Sequence, residues 1–234
     1  MLPKLIRPEY STTIPSTGKK VKYHPFSVRE EKILVLASES GDPEEITNAI
    51  VNVLQNCITS PADLQVEDLA IFDIEYLFLK ARSKSVGEYI NVRVTDPNDE
   101  TYQVDHSINI DRIGIDRNPE HSPVIFLSDD VQVQMKYPGI EFFAEGIDLT
   151  SITNSIGTMT RCIESITHGD EVYHCVDTSK NEMEEWLEGL TSEQFRRISS
   201  FFTTMPKLRH SFTLTNENTG VDFKITLEGL SDFF

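Results

Sequence analysis

The sequence predicts an α+β fold: a helical layer around one central buried helix, small antiparallel β-hairpin sheets beside it, and an extended N-terminal arm. Three observations carry this. First, Leu69–Gly87 is apolar on two sides when wound as a helix. Ala70, Ile71, Ile74, Leu77, Phe78 and Ala81 fall on one side, and Phe72, Tyr76 and Leu79 on the other. Thin stripes of Asp73, Lys80 and Lys84, and of Glu75 and Arg82, run between them. A helix apolar on two sides packs between layers rather than on a surface. Second, the hydrophobic spacing changes to a period of two over residues 89–105 and again over 211–227, each time around turn-forming residues, as in hairpins. Third, Ser27-x-x-Glu30 and Thr191-x-x-Gln194 are capping boxes that open helices.

Residues 1–26 read as an extended basic arm. Pro3, Pro8, Pro15 and Pro25 interrupt any helix, and five basic residues (Lys4, Arg7, Lys19, Lys20, Lys22) stand against Glu9. The arm is thus net +4 in a chain of −17, which leaves −21 for the remainder. Such an arm either packs back on its own body or reaches an acidic partner. Leu2, Leu5, Ile6 and Ile14 serve as apolar anchors in either case.

Residues 27–87 read as a helical unit. The first helix runs to about Ser38 with Ile33, Leu34 and Ala37 inward, and Gly41 ends that segment. Asp42-Pro43-Glu44-Glu45 then supplies an N-cap, a proline at the first helical position and acids in the first turn. Ile46, Ile50, Val53, Leu54 and Cys57 share one face, which makes Cys57 a small core residue rather than a nucleophile.

Residues 88–137 read as an antiparallel β unit: hairpin 89–105 around Asp96-Pro97-Asn98-Asp99, then short strands at 108–115, 124–127 and 131–135. Residues 138–234 read as a helical hairpin with a C-terminal β-hairpin. Ile152, Ile156, Met159 and Ile163 line up on one helical face, and 169–177 is a strand or loop. Met183, Trp186, Leu187 and Leu190 recur at helical spacing, and Phe195, Ile198, Phe201 and Phe202 face inward from the next helix. The final hairpin turns at Asn216–Gly220. The order helix, basic stretch, hairpin occurs twice, around residues 69–105 and 192–227, either as a structural repeat or by chance.

The acidic balance argues against nucleic acid, which needs clustered Lys and Arg. Three scattered cysteines form no disulfide framework. The first ten residues lack the apolar core of a secretory signal, and the longest apolar run, Ile33–Ala37, is far too short for a membrane span. Asp105-His106 with Asp111, and His168, Asp170, His174 and Asp177, are imaginable metal corners. Neither has the spacing of a known zinc site, and with 38 acids in the chain a His beside an Asp is expected by accident. Cys175 and His174 are sequence neighbours, which point apart in a strand. Glu182–Glu188 reads as a solvated helix face, with partner contact as the other reading. The end, Leu227–Phe234, holds four large apolar residues (Leu227, Leu230, Phe233, Phe234) that either dock on their own core or form an exposed hook.

Three stretches resemble the T4-type bacteriophage baseplate hub assembly family. They are Pro15–Lys19 with Pro25-Phe26-x-Val28-x-Glu30–Leu34; Phe72-Asp73-x-Glu75-Tyr76-x-Phe78-Leu79 running to Val86-Gly87; and Met205–Leu208 with Leu227–Leu230 and Phe233-Phe234. The resemblance covers nearly the whole chain. It implies a non-enzymatic assembly factor that binds baseplate hub or tail proteins as a chaperone would. That work belongs to the host bacterial cytoplasm or the virion baseplate. A permanent structural subunit and a metal-dependent hydrolase are the alternatives. Lys4, Arg7, Lys19, Lys20, Lys22, Leu230, Phe233 and Phe234 are the expected partner-binding residues. Some relatives carry cysteine pairs at hairpin turns, suggestive of zinc. The matching turns here read Asp96–Asp99 and Asn216–Thr219, so no metal and no cofactor are expected.

Overall fold

The structure, a computed structural model, describes residues 6–147 and 156–233. Lys4 and Phe234, with Leu2, Leu5 and Ile152, lie outside the described residues. The α+β class holds: among the described residues seven α-helices accompany four small antiparallel sheets. The chain divides into two compact units, Met1–Asp116 with Lys207–Phe234, and Arg117–Pro206.

In the first unit, β1 (Tyr10–Thr13), β2 (Lys20–Tyr23) and β3 (Ile58–Ser60) form a sheet in that order. The N-terminal segment is therefore more organised than an extended arm. Tyr10 pairs with Tyr23 and Thr13 with Lys20, and Ile14, Val21 and Tyr23 are buried. The alternating burial of Lys20–Tyr23 is the period-two signal of a half-buried strand.

Helix α1 (Val28–Ser40) has the expected capping box: Glu30 reaches back to the Ser27 amide at 2.8 Å. It ends at Gly41 with φ 68°, a left-handed turn that glycine enters without a Cβ penalty. Helix α2 (Pro43–Cys57) starts on Asp42, whose carboxylate accepts from the Glu44 amide at 2.9 Å. Its buried face is Ile50, Val53, Leu54 and Cys57, with Ile46 half-buried at its edge.

Helix α3 (Ile71–Ser85) is the twice-covered helix, buried at Ile71–Ile74, Leu77–Leu79, Ala81 and Ser83. Polar groups along it act as ties to its neighbours. Asp73 accepts from the Ser16 amide at 2.8 Å, and the Tyr76 hydroxyl bonds Thr12 at 3.0 Å. Ser85 accepts from the Phe26 amide at 2.6 Å. On the other side Lys80 donates to the Ile113 carbonyl at 3.1 Å, Ser83 to Asp111 at 3.0 Å, and Lys84 pairs with Asp111 at 2.9 Å.

After α3 come the hairpin of β4 (Tyr89–Asp96) and β5 (Asp99–Asn109), and then β6 (Ile115–Asp116). The last two strands, β11 (Lys207–Asn216) and β12 (Val221–Glu228), belong to this unit because Leu208 pairs with Ile115 and Lys207 with Asp116. These units cut across the four linear segments read from the sequence: the C-terminal hairpin closes the first unit, and residues 117–137 join the second. A two-residue strand paired across some 90 residues leaves almost no local trace. Leu79, Ile108, Ile110, Ile113, Leu208, Leu227 and Phe233 form one buried cluster here; full burial of each such side chain stabilises by about 1.5–3 kcal/mol.

In the second unit, β7 (Val124–Phe126), β8 (Val131–Met135), β9 (Ile163–His168) and β10 (Glu171–His174) form a sheet of order β10-β9-β8-β7. Four helices accompany it: α4 (Glu141–Ala144), α5 (Ile156–Thr160), α6 (Lys180–Glu188) and α7 (Ser192–Thr204). Their core holds Val133, Met135, Phe142, Met159, Met183, Leu187, Ile198, Phe201 and Phe202. The capping box at Thr191 forms as expected. The helical face that was to include Ile163 does not extend that far: α5 stops at Thr160 and Ile163 opens β9. Pairing of β9 with β8 outweighs the helical spacing, and β-branched Ile163, Ile166 and Thr167 suit the strand. Among the described residues no helix is long and apolar enough to cross a membrane.

Candidate interaction surfaces

The expected partner residues divide into exposed and engaged ones. Arg7, Lys19 and Lys20 are exposed. Lys22 is exposed too but pairs with Glu9 at 2.9 Å, and Glu9 also accepts from Thr59 at 2.9 Å, so this lysine ties β2 to its flanks. Arg7 sits by the start of α1. Burial pushes the Glu30 carboxyl up, but the Ser27 hydrogen bonds and then the Arg7 charge outweigh that and hold it below the usual carboxylate range.

The tail is docked. The Gly229 amide donates to the Leu208 carbonyl at 3.0 Å and the Leu230 amide to Glu75 Oε1 at 3.2 Å. Leu230 packs against the buried cluster that contains Phe233, which is 2 % exposed. The turn needs glycine twice over: Gly229 has φ +72°, and a Cβ there would stand 3.1 Å from Glu75 Oε1. Of the two readings of the tail, docking on its own core is the one this structure contains.

Sequence reasoning missed the outer face of α1. Val28 is 82 % exposed, Val35 51 % and Leu36 55 %, and Ile33, expected inward, is 37 % exposed. The helix buries Ala37 and Glu30, with Leu34 half-buried. The signal was present: Val28, Val35 and Leu36 at i, i+7 and i+8 form a second apolar stripe, which is read as core only if a layer covers it. Ile6, just before Arg7, is 98 % exposed.

The two hairpin turns singled out by the resemblance meet. Asn216 Nδ2 donates to Asp96 Oδ2 at 2.8 Å and to Asp99 Oδ2 at 3.2 Å, while Asn216 Oδ1 accepts from the Asn218 amide at 2.9 Å. An amide nitrogen thus occupies the point on which both carboxylates converge. The flanking hairpins touch through Tyr102–Phe223 and a stacked His106–Phe212 pair with ring centres 4.5 Å apart. Asn216→Ala leaves buried Asp96 short of a donor. We expect a loss of about 1–3 kcal/mol, read from urea unfolding, since an unmade buried hydrogen bond costs its desolvation.

Among the described residues the two imagined metal corners do not assemble. Asp105 is held by Arg93 at 2.7 Å, Asp111 by Lys84, and His168 by Asp130 at 3.4 Å. Among the described residues no three His, Cys, Asp or Glu side chains are placed to hold a metal ion. Burial pushes the Cys57 and Cys162 thiols up to about 12 and raises Cys175 as well, the opposite of nucleophile activation.

A family model described as T4 bacteriophage base plate protein matches residues 7–234. No curated protein matches the chain. No solved structure matches it.

Proposed function

The chain belongs to the T4 bacteriophage base plate protein family, and we propose that it acts there as an assembly factor that binds hub subunits without covalent chemistry. The observation that carries this reading is the outer face of α1. Three large aliphatic side chains, Val28, Val35 and Leu36, are each at least half exposed there on one well-capped helix. An uncovered apolar face of this kind, rimmed by charge, marks a protein contact. Exposed Lys19, Lys20 and Arg7 give the same unit a cationic edge on an otherwise acidic chain, which favours orientation toward an acidic hub surface. Its site of action would be the host cytoplasm during assembly.

Two changes test the reading. Val35→Asp with Leu36→Asp replaces exposed side chains, so stability should move by no more than about 0.5 kcal/mol for each change. Association with co-expressed hub proteins should fall at least tenfold. Deleting residues 1–7 leaves in place the 2.7 Å hydrogen bond between His24 Nδ1 and the Pro8 carbonyl and the β1–β2 pairing, and it should weaken the same association by a smaller factor. Unchanged capture of hub proteins by the double aspartate variant would remove α1 from the account. The permanent-subunit alternative is decided by the mass composition of purified virions: a fixed copy number there identifies a subunit, and absence an assembly factor.

A further inference from the structure

The sheet of the second unit and α6 leave a groove of about 640 Å3 between them. Ile166 and Met183 supply apolar lining, Tyr173 and Trp186 aromatic lining, and Asp177 and Glu182 carboxylates. The carboxylates have no cationic partner among the described residues; Lys180, the one cation between 170 and 188, lies 3.6 Å from Glu184 instead. Glu182 uses Oε2 for the Ser179 amide and hydroxyl at 3.0 and 2.6 Å. Those hydrogen bonds hold its carboxyl below the usual range, so it is ionised at neutral pH. Seven acids stand between residues 170 and 188. The adjoining strand β10 is the edge of its sheet, with Val172 and Tyr173 about half exposed.

We propose that this groove receives an extended, lysine- or arginine-bearing segment of a neighbouring baseplate protein, its aliphatic stems on Trp186 and Tyr173 and its cations against Asp177 and Glu182. The charge selects the occupant. Asp177 and Glu182 are exposed at the rim, so an acidic segment would meet like charge there and a neutral apolar one would leave both carboxylates unpaired. A basic side chain covers the rings with its methylenes, keeps its head at the rim, and gains from the aromatic faces. The volume admits several residues of an extended chain rather than one side chain, and an edge strand lets such a chain run alongside.

The test uses the whole protein and the peptide acetyl-Lys-Leu-Lys-Leu-Lys-Leu-amide. Trp186 is the chain's single tryptophan, so its emission reports the groove directly. A saturable emission change is expected, with an affinity at least tenfold above that of acetyl-Glu-Leu-Glu-Leu-Glu-Leu-amide. Asp177→Asn with Glu182→Gln should weaken lysine-peptide binding at least fivefold. Glutamine at that position still closes the capping box, and an unchanged circular dichroism spectrum verifies the fold. Tyr173→Ala, at an exposed position, provides a second variant with the same expectation. Equal binding of both peptides, affinity indifferent to these substitutions, or no saturable change overturns the proposal. Hub capture through α1 does not enter the measurement, so either idea can fail while the other stands.

Discussion

Asp73→Ala is expected to destabilise the protein by about 3 kcal/mol, and to loosen the N-terminal hairpin before the rest of the first unit unfolds. Asp73 is completely buried on α3, yet it is a carboxylate. Its oxygens accept from the Ser16 amide at 2.8 Å and the Ser16 hydroxyl at 2.5 Å, which ties the tip of the β1–β2 hairpin to the central helix across 57 residues. Alanine forfeits both charge-assisted hydrogen bonds, each worth about 1.5–3 kcal/mol, and exposed Ser16 recovers part of that from water. Asp73→Asn keeps one carbonyl-type oxygen for the Ser16 amide, and the Ser16 hydroxyl can rotate to accept from the new amide, so about 1 kcal/mol is expected. Urea unfolding gives the totals. Hydrogen exchange at the Ile14 and Val21 amides gives the location: their protection should fall further in the alanine variant than that of α2. Equal loss of protection everywhere would mean that the hairpin and helix unfold as one unit and that the tie is not local.

The same residue marks where sequence reading stops. The two-sided apolar pattern of α3 was legible, as were the caps at Ser27, Asp42 and Thr191 and the β4–β5 and β11–β12 hairpins, because each is set by residues a few positions apart. What the polar stripes of α3 do was not legible, since Ser16, Asp111 and Leu230, which Asp73, Ser83 and Glu75 engage, lie 57, 28 and 155 positions away. The N-terminal arm was read from its prolines and charge. Its pairing depends on Val21 and Tyr23, whose alternation with Lys20 and Lys22 spans only four residues. The tail was ambiguous for the opposite reason: its apolar residues suit a partner's core as well as their own, and only the Gly229 turn against Glu75 decides the outcome. The α1 face was misread because an apolar stripe carries no mark of whether a layer covers it.

Glu75→Gln should stabilise the protein at pH 8 by at most about 3–4 kcal/mol and leave it unchanged near pH 4. Burial of its place on α3 pushes the Glu75 carboxyl from 4.5 up to about 7, and the facing charge of Glu228 pushes the same way; the Leu230 amide bond and Lys207 oppose it. Glu228 is itself paired with Lys207 at 2.7 Å and with Arg209, which limits its share. The sign follows from which state holds the proton. Below 4.5 both folded and unfolded chains carry a protonated Glu75 and there is no difference. Between 4.5 and 7 the unfolded chain ionises while the folded one does not, so stability from this group falls as pH rises, and above 7 the loss is complete. At about 1.4 kcal/mol per pH unit, the window gives the ceiling stated. Glutamine cannot ionise and still presents an oxygen to the Leu230 amide, so it removes the loss without freeing the tail. Alanine lacks that oxygen and should release Leu230 and Phe233 at every pH. Urea unfolding of the three proteins between pH 4 and 8.5 checks this: wild type and glutamine variant should converge at acid pH and separate through pH 5–7. Parallel curves would mean that Glu75 ionises normally in the folded chain. A gap that opened toward acid would mean that its charge, rather than its proton, holds the tail.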